Sequence, residues 1–173
     1  MSRLADATAA DPLLLLPADC RRAAVIGNAD ATPCIPGLEW VPLDAAPDAI
    51  VALYPAPGDL AALAQRAWHL LAPGGTLVAH VPNPLPGRPL RPRRLRRLLA
   101  AAGFPDVRLF AWLSTTIFRQ VLFALGDRRM AGLLAGLTLP GERRRVRLAR
   151  SLGAFLPASW LVPRLLVVAR KEP

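Results

Sequence analysis

Short apolar runs alternate with amphipathic stretches along this chain. Ala23-Ala24-Val25-Ile26-Gly27, Ala49 to Tyr54 and Thr76 to Val81 are nearly continuous apolar segments bounded by turn residues, the pattern of strands buried on both faces. Leu38 to Leu43 is a weaker run, and Pro42 confines it to a short or edge strand. Asp106 to Trp112 and Arg164 to Arg170 complete the strand set. Between them the period changes. From Asp59 to Leu71, the residues Leu60, Leu63, Ala64, Ala67, Leu70 and Leu71 share one stripe, with Gln65, Arg66 and His69 facing away, which predicts a helix. Arg93 to Ala102 predicts another, with Leu95, Leu98, Leu99 and Ala102 on the apolar side. Ala72-Pro73-Gly74-Gly75 and Gly103 stop these two helices. Residues 113–160 keep helical periodicity, most clearly at Thr116–Leu125, Asp127–Leu137 and Glu142–Phe155.

Strands alternating with helices predict a mostly parallel α/β sheet with helices on both faces. A chain of 173 residues has room for one domain with a core of its own. The expected organisation is a loose leader over 1–19, the sheet and its flanking helices over 20–112, a helical insertion over 113–160 and the last strand over 161–173.

Charge changes this picture because it is lopsided. Residues 1–87 hold four basic and eight acidic side chains, whereas residues 88–173 hold eighteen and four. Twenty-one of the 22 Lys and Arg residues are arginine, and Lys171 is the one lysine. A half-molecule so basic attracts anions. No long apolar run is free of charge, Pro and Gly, so a membrane-spanning helix is not expected. Asp6 and Asp11 precede the Leu13–Leu16 run, the opposite of a secretory signal. Cys20 and Cys34 make no disulfide framework, and no Cys/His cluster has zinc spacing. The expected location is therefore the reducing cytoplasm, with peripheral attachment at a membrane left open by the basic half, and no metal is expected.

Leu70-Leu71-Ala72-Pro73-Gly74-Gly75-Thr76-Leu77-Val78-Ala79-His80-Val81-Pro82-Asn83 resembles the segment of class I S-adenosylmethionine-dependent methyltransferases that turns from a helix into the fifth strand. Leu95 to Val107, through Leu98-Leu99 and Ala102-Gly103-Phe104, is similar to that family's following helix and sixth strand. Leu165 to Lys171 is similar to its seventh. The resemblance implies a Rossmann-like methyltransferase sheet whose last strand is antiparallel to its neighbours, and S-adenosylmethionine as cofactor. The sequence departs from the family where the cofactor loop belongs. After the first strand, Gly27-Asn28-Ala29-Asp30-Ala31-Thr32-Pro33 keeps only Gly27 on a family glycine position. The ten residues to Gly37 leave no room for the first helix, and the third strand is missing. The sheet is thus expected to be shortened, with impaired cofactor binding.

On that resemblance, Gly27 and Asp44 are the candidate cofactor contacts, Asp44 at the position of the family's ribose-binding acid. Tyr54 and Asn83 are candidate substrate contacts at strand ends. Ligands bind outside the carboxyl ends of strands in open α/β sheets, so His80 and Tyr54 are the candidate catalytic residues. The blander alternatives are a buried strand histidine and a core-capping tyrosine. Arg93, Arg94, Arg97, Arg144 and Arg147 are candidate anion contacts, on two faces that also read as solubilising. An anionic substrate, a lipid surface or an acidic protein fits them. Nucleic acid fits less well, because no aromatic residue interleaves Arg88 to Arg97. The apolar content of 113–160 is expected to serve a lid, a membrane contact or a homo- or hetero-oligomer interface. Three function classes remain: a methyltransferase with an unidentified acceptor, a non-catalytic interaction module on the same fold, and an Arg-rich protein that docks on membranes or nucleic acid.

Overall fold

A computed structural model describes residues 15–27, 35–53, 55–56, 58–82, 91–113, 121–125 and 164–173. The described strands are β1 (Arg22–Ile26), β2 (Glu39–Trp40), β3 (Ala49–Leu53), β4 (Thr76–Pro82), β5 (Asp106–Leu113), β6 (Val121–Ala124) and β7 (Arg164–Arg170). The helices are α1 (Leu60–Leu70) and α2 (Pro92–Ala101), with one 3-10 turn at Leu43–Ala45. They build one seven-stranded sheet in the order β2-β1-β3-β4-β7-β5-β6.

β1, β2, β3 and β4 are mutually parallel, as apolar runs joined by a helix require. β7 enters antiparallel between β4 and β5, pairing Thr76 with Arg170 on one side and Asp106 with Arg170 on the other. β4 and β7 are buried almost throughout, and the run Leu165 to Ala169 has no polar side chain to spoil that central position. β2 is a two-residue edge strand, in keeping with Pro42 just beyond it.

One stretch differs from its sequence pattern. Thr116–Leu125 has helical spacing, but residues 121–124 form β6, antiparallel on β5 with Phe110 opposite Ala124 and Leu113 opposite Val121. A short apolar run fits either period, and here pairing with the free edge of β5 decides it. The stretch between β5 and β7 is therefore not wholly helical. The other two expected helices, Asp127–Leu137 and Glu142–Phe155, lie outside the described residues.

The main core cluster joins one sheet face to both helices. Ala24, Ile50, Ala52, Leu77, Ala79, Val81, Leu109, Leu165, Val167 and Ala169 meet Leu60, Ala64 and Ala67 of α1 and Leu95 and Leu99 of α2. The alternation along each strand sends Ala23, Val51, Val78, His80 and Leu166 to the other face, where they too are buried. Helices were expected on both faces; among the described residues both lie on the first.

The strand starts are tied together by hydrogen bonds. Asp48 Oδ2 accepts the backbone N–H groups of Arg21 at 3.0 Å and Arg22 at 2.9 Å. The Asp48 N–H donates to the Arg22 carbonyl, and the Thr76 N–H donates to the Asp48 carbonyl. At the Pro73-Gly74-Gly75 turn, the Gly75 N–H closes onto the Ala72 carbonyl, and the Lys171 N–H donates to the Gly75 carbonyl. The amino edge of the sheet is thereby fixed, and this sets where the opposite, carboxyl edge lies.

Candidate functional site

From β1 the chain runs to β2 on one side and to β3 on the other. The strand order thus reverses between β1 and β3, and ligands of open α/β sheets bind outside the carboxyl ends of the strands at such a point. Ala52 pairs with Ile26, and Leu53 pairs with His80. Gly27, Leu53 and His80 therefore share one rung of the carboxyl edge, and Leu166 of β7 extends it.

Gly27 is the informative member. Its φ is +126°, a backbone conformation that side-chain-bearing residues rarely adopt. A Cβ placed on it would stand 3.0 Å from the Leu53 carbonyl oxygen and 3.5 Å from Leu53 Cβ. Strand β1 thus ends in a turn with no room for a side chain, directly beside the end of β3. The close approach of β1's end to the Leu53 backbone accounts for the glycine.

His80 lies on the same rung with 0% exposure, on the face away from α1 and α2. The imidazole is thus buried, on a strand position paired with Leu53 of β3 and Leu166 of β7. Tyr54 and Asn83 lie outside the described residues.

Asp44 does not join this group through any described contact. It is exposed, in the turn Leu43–Ala45. The Arg22 side chain donates from Nη2 to the Ala45 carbonyl at 2.9 Å, and three residues later the chain is bonded to Arg22 again through Asp48. The turn is thus tethered to Arg22, the residue that opens β1, and β2 stops pairing at Trp40, four residues before Asp44.

Arg93, Arg94, Arg96 and Arg97 are exposed on α2. Arg144 and Arg147 lie outside the described residues. Among the described residues no group of three or more His, Cys, Asp or Glu is placed to hold a metal ion, and no helix is long and apolar enough to cross a membrane.

A groove of about 380 Å³ opens at the amino edge, lined by Asp19, Cys20, Arg21, Asp48, Gly74 and Arg170 among others. Its main polar groups are engaged: Asp48 Oδ2 by two N–H groups, and Arg170 Nε with the Gly74 carbonyl at 3.3 Å. It lies at the amino ends of the strands, away from Gly27 and His80. Cys20 is half-buried there. Burial, with Asp48 and then Asp19 nearby, pushes its thiol pKa up, which keeps it protonated and unreactive at neutral pH.

No protein-family model matches the sequence, and no curated protein matches it. Solved structures do. An S-adenosylmethionine-dependent methyltransferase from Archaeoglobus fulgidus is 16% identical with a TM-score of 0.54, over 98% of this chain and 95% of that one. An S-adenosylmethionine-dependent methyltransferase from Thermotoga maritima is 12% identical with a TM-score of 0.52, over 98% and 89%. At such identities the likeness concerns fold. With the mixed sheet and its antiparallel β7 as the resemblance implies, this chain has a shortened form of the Rossmann-like α/β fold of class I S-adenosylmethionine-dependent methyltransferases.

Proposed function

We propose that this chain takes part in S-adenosylmethionine-dependent methyl transfer, with the carboxyl edge beside Gly27 as the cofactor site. The observation that carries the reading is the rung itself. A glycine with φ +126° abuts the Leu53 carbonyl at the point where strand order reverses, and such a cradle suits close backbone approach to a nucleoside.

S-adenosylmethionine, when bound, supplies a methyl group on a positively charged sulfur. The acceptor would take that methyl group as the carbon–sulfur bond breaks, leaving a neutral thioether, and would give up its proton to solvent. The chain would contribute position: the turn at Gly27 presents its backbone at the edge, beside Leu53 and the buried His80. Proximity and orientation account for most of the acceleration.

Only Gly27 answers to the family's glycine positions, and the turn that holds Asp44 is tethered to Arg22. Binding is therefore expected to be weak, with a dissociation constant of roughly 100 μM or poorer. Calorimetry of the purified chain with S-adenosylmethionine and S-adenosylhomocysteine tests this. Weak saturable heat, lost in Gly27→Val although the variant, destabilised by the strain, still melts cooperatively above the assay temperature, supports the reading. Tight binding that survives Gly27→Val overturns the assignment of this edge.

The placement of Asp44 favours a second reading, a non-catalytic module on the same fold. Calorimetry that finds no heat with either nucleoside, for a chain that melts cooperatively, selects it.

A further inference from the structure

Arg93, Arg94, Arg96 and Arg97 stand within the first two turns of α2, all exposed. At helical spacing they fan over roughly 160° of the helix surface and about 6 Å of its length. Ala100 and Ala101 complete the exposed arc, while Leu95 and Leu99 are buried against the sheet. The neighbouring helix α1 exposes Ala61, Ala62, Gln65, Arg66 and His69. Neither helix contains an acidic residue. Among the described residues the salt bridge is Arg108 with Asp106, so no described carboxylate pairs with the fan.

Helix stability does not account for this placement. The first turn of a helix is the positive end of its dipole, where cations are disfavoured, and α2 has no acidic residue and no side-chain cap there. Topology adds the location. α2 runs from the carboxyl end of β4 back to the start of β5, so its arginine-bearing end lies at the same edge of the sheet as Gly27 and His80.

We propose that this fan binds the phosphate chain of a nucleic acid and that the methyl acceptor is a group on that chain; the second half of this statement rests on the methyl-transfer reading above. Four guanidinium groups carry more charge than a single phosphate balances, and arginine pairs with phosphate oxygens through two parallel N–H bonds. A lipid surface is the poorer fit, because the exposed arc holds only arginine and alanine, with no large apolar side chain to enter a bilayer. The lack of aromatic residues is no obstacle, since phosphate contacts position a nucleic acid without stacking on its bases.

The test measures fluorescence anisotropy of the full chain with single-stranded RNA and DNA of about 20 nucleotides, in salt titrations. Phosphatidylserine vesicles are assayed in parallel by flotation. For about four phosphate contacts the log–log salt slope is expected near −3. R93E/R97E is expected to weaken binding at least about ten-fold and to flatten the slope by about 1.4, with melting temperature unchanged or raised. The RNA and DNA arms show which polymer is preferred. Unchanged nucleic-acid binding by R93E/R97E overturns the proposal, as does binding of the wild type to vesicles alone. Calorimetry with S-adenosylmethionine separates the two ideas. Nucleic-acid binding without cofactor binding sinks the methyl-transfer reading and leaves the surface standing. Cofactor binding without nucleic-acid binding does the reverse.

Discussion

Lys171 Nζ donates to the Trp68 carbonyl at 2.8 Å and stands 5.2 Å from the centre of the Trp68 ring. It also donates to the Leu71 carbonyl at 2.7 Å. The last turn of α1 thus has its carbonyls capped by a cation from the far end of the sequence, where the helix dipole favours positive charge. In a chain with 21 arginines this is the one lysine, and a compact ammonium with rotatable donors suits two converging carbonyls better than a planar guanidinium. Lys171→Met should lower unfolding free energy by about 1–2 kcal/mol in urea denaturation. Lys171→Arg should recover only part of that loss. Equal stability of the Met variant would show the cap to be idle.

Trp68 also packs edge-on against Phe104, with ring centroids 5.2 Å apart and an interplanar angle of 85°. Beneath it sits Gly103, with φ +107°, where a Cβ would come within 2.8 Å of the indole. Gly103→Ala should cost roughly 2–4 kcal/mol through backbone strain and overlap with the ring. In a Trp68→Leu background the same change should cost about 1 kcal/mol less, because the overlap is gone and the strain remains. Strict additivity of the two variants would refute the contact.

Asp48→Ala removes the acceptor for the N–H groups of Arg21 and Arg22 at the start of β1. A loss of about 1–3 kcal/mol is expected, while Asp48→Asn, which keeps an acceptor oxygen, should lose less. Denaturant midpoints of the two variants decide the point. An Asn variant as unstable as the Ala variant would mean that charge, not acceptance, matters.

Cys20 gives a pH dependence with a definite sign. Its folded-state pKa is raised by burial, then by Asp48 and Asp19, so the folded form holds its proton where the unfolded form has lost it. Stability from this group is fully present below the ordinary thiol pKa and is lost as pH rises from there through the raised value. In a Cys34→Ser background, Cys20→Ala should flatten the alkaline decline in melting temperature. Iodoacetamide should modify Cys20 more slowly than a free thiol at pH about 8.

Most of the sheet was legible because its strands obey one rule at a time. Thr76 to Val81 is buried on both faces, so its apolar run needs no tertiary context, and Arg164 to Arg170 reads the same way. β6 was not legible, since Val121 to Ala124 satisfies two periods and only the open edge of β5 chooses between them. The surroundings of the candidate residues divide similarly. The turn at Gly27 could be read because a glycine after an apolar strand has a local cause. The tether of the Leu43–Ala45 turn could not, because it depends on where β2 stops pairing and on a hydrogen bond from Arg22 to Ala45. That His80 shares a rung with Gly27 follows from register across β1, β3 and β4, which no single segment encodes.

The place of β7 also has a consequence for how the molecule is made. β4 and β5 do not pair with each other; each pairs with β7, whose residues 164–170 come after every other strand in synthesis. Until they leave the ribosome, β1 to β4 form one incomplete sheet and the β5–β6 hairpin a second, each with an unmatched apolar edge. Closure is a long-range event, slow by the measure of loop entropy, and partly made chains expose edges that invite aggregation. A nascent chain arrested before residue 164 should therefore depend on chaperones, and release of β7 should convert two sticky halves into one folded sheet.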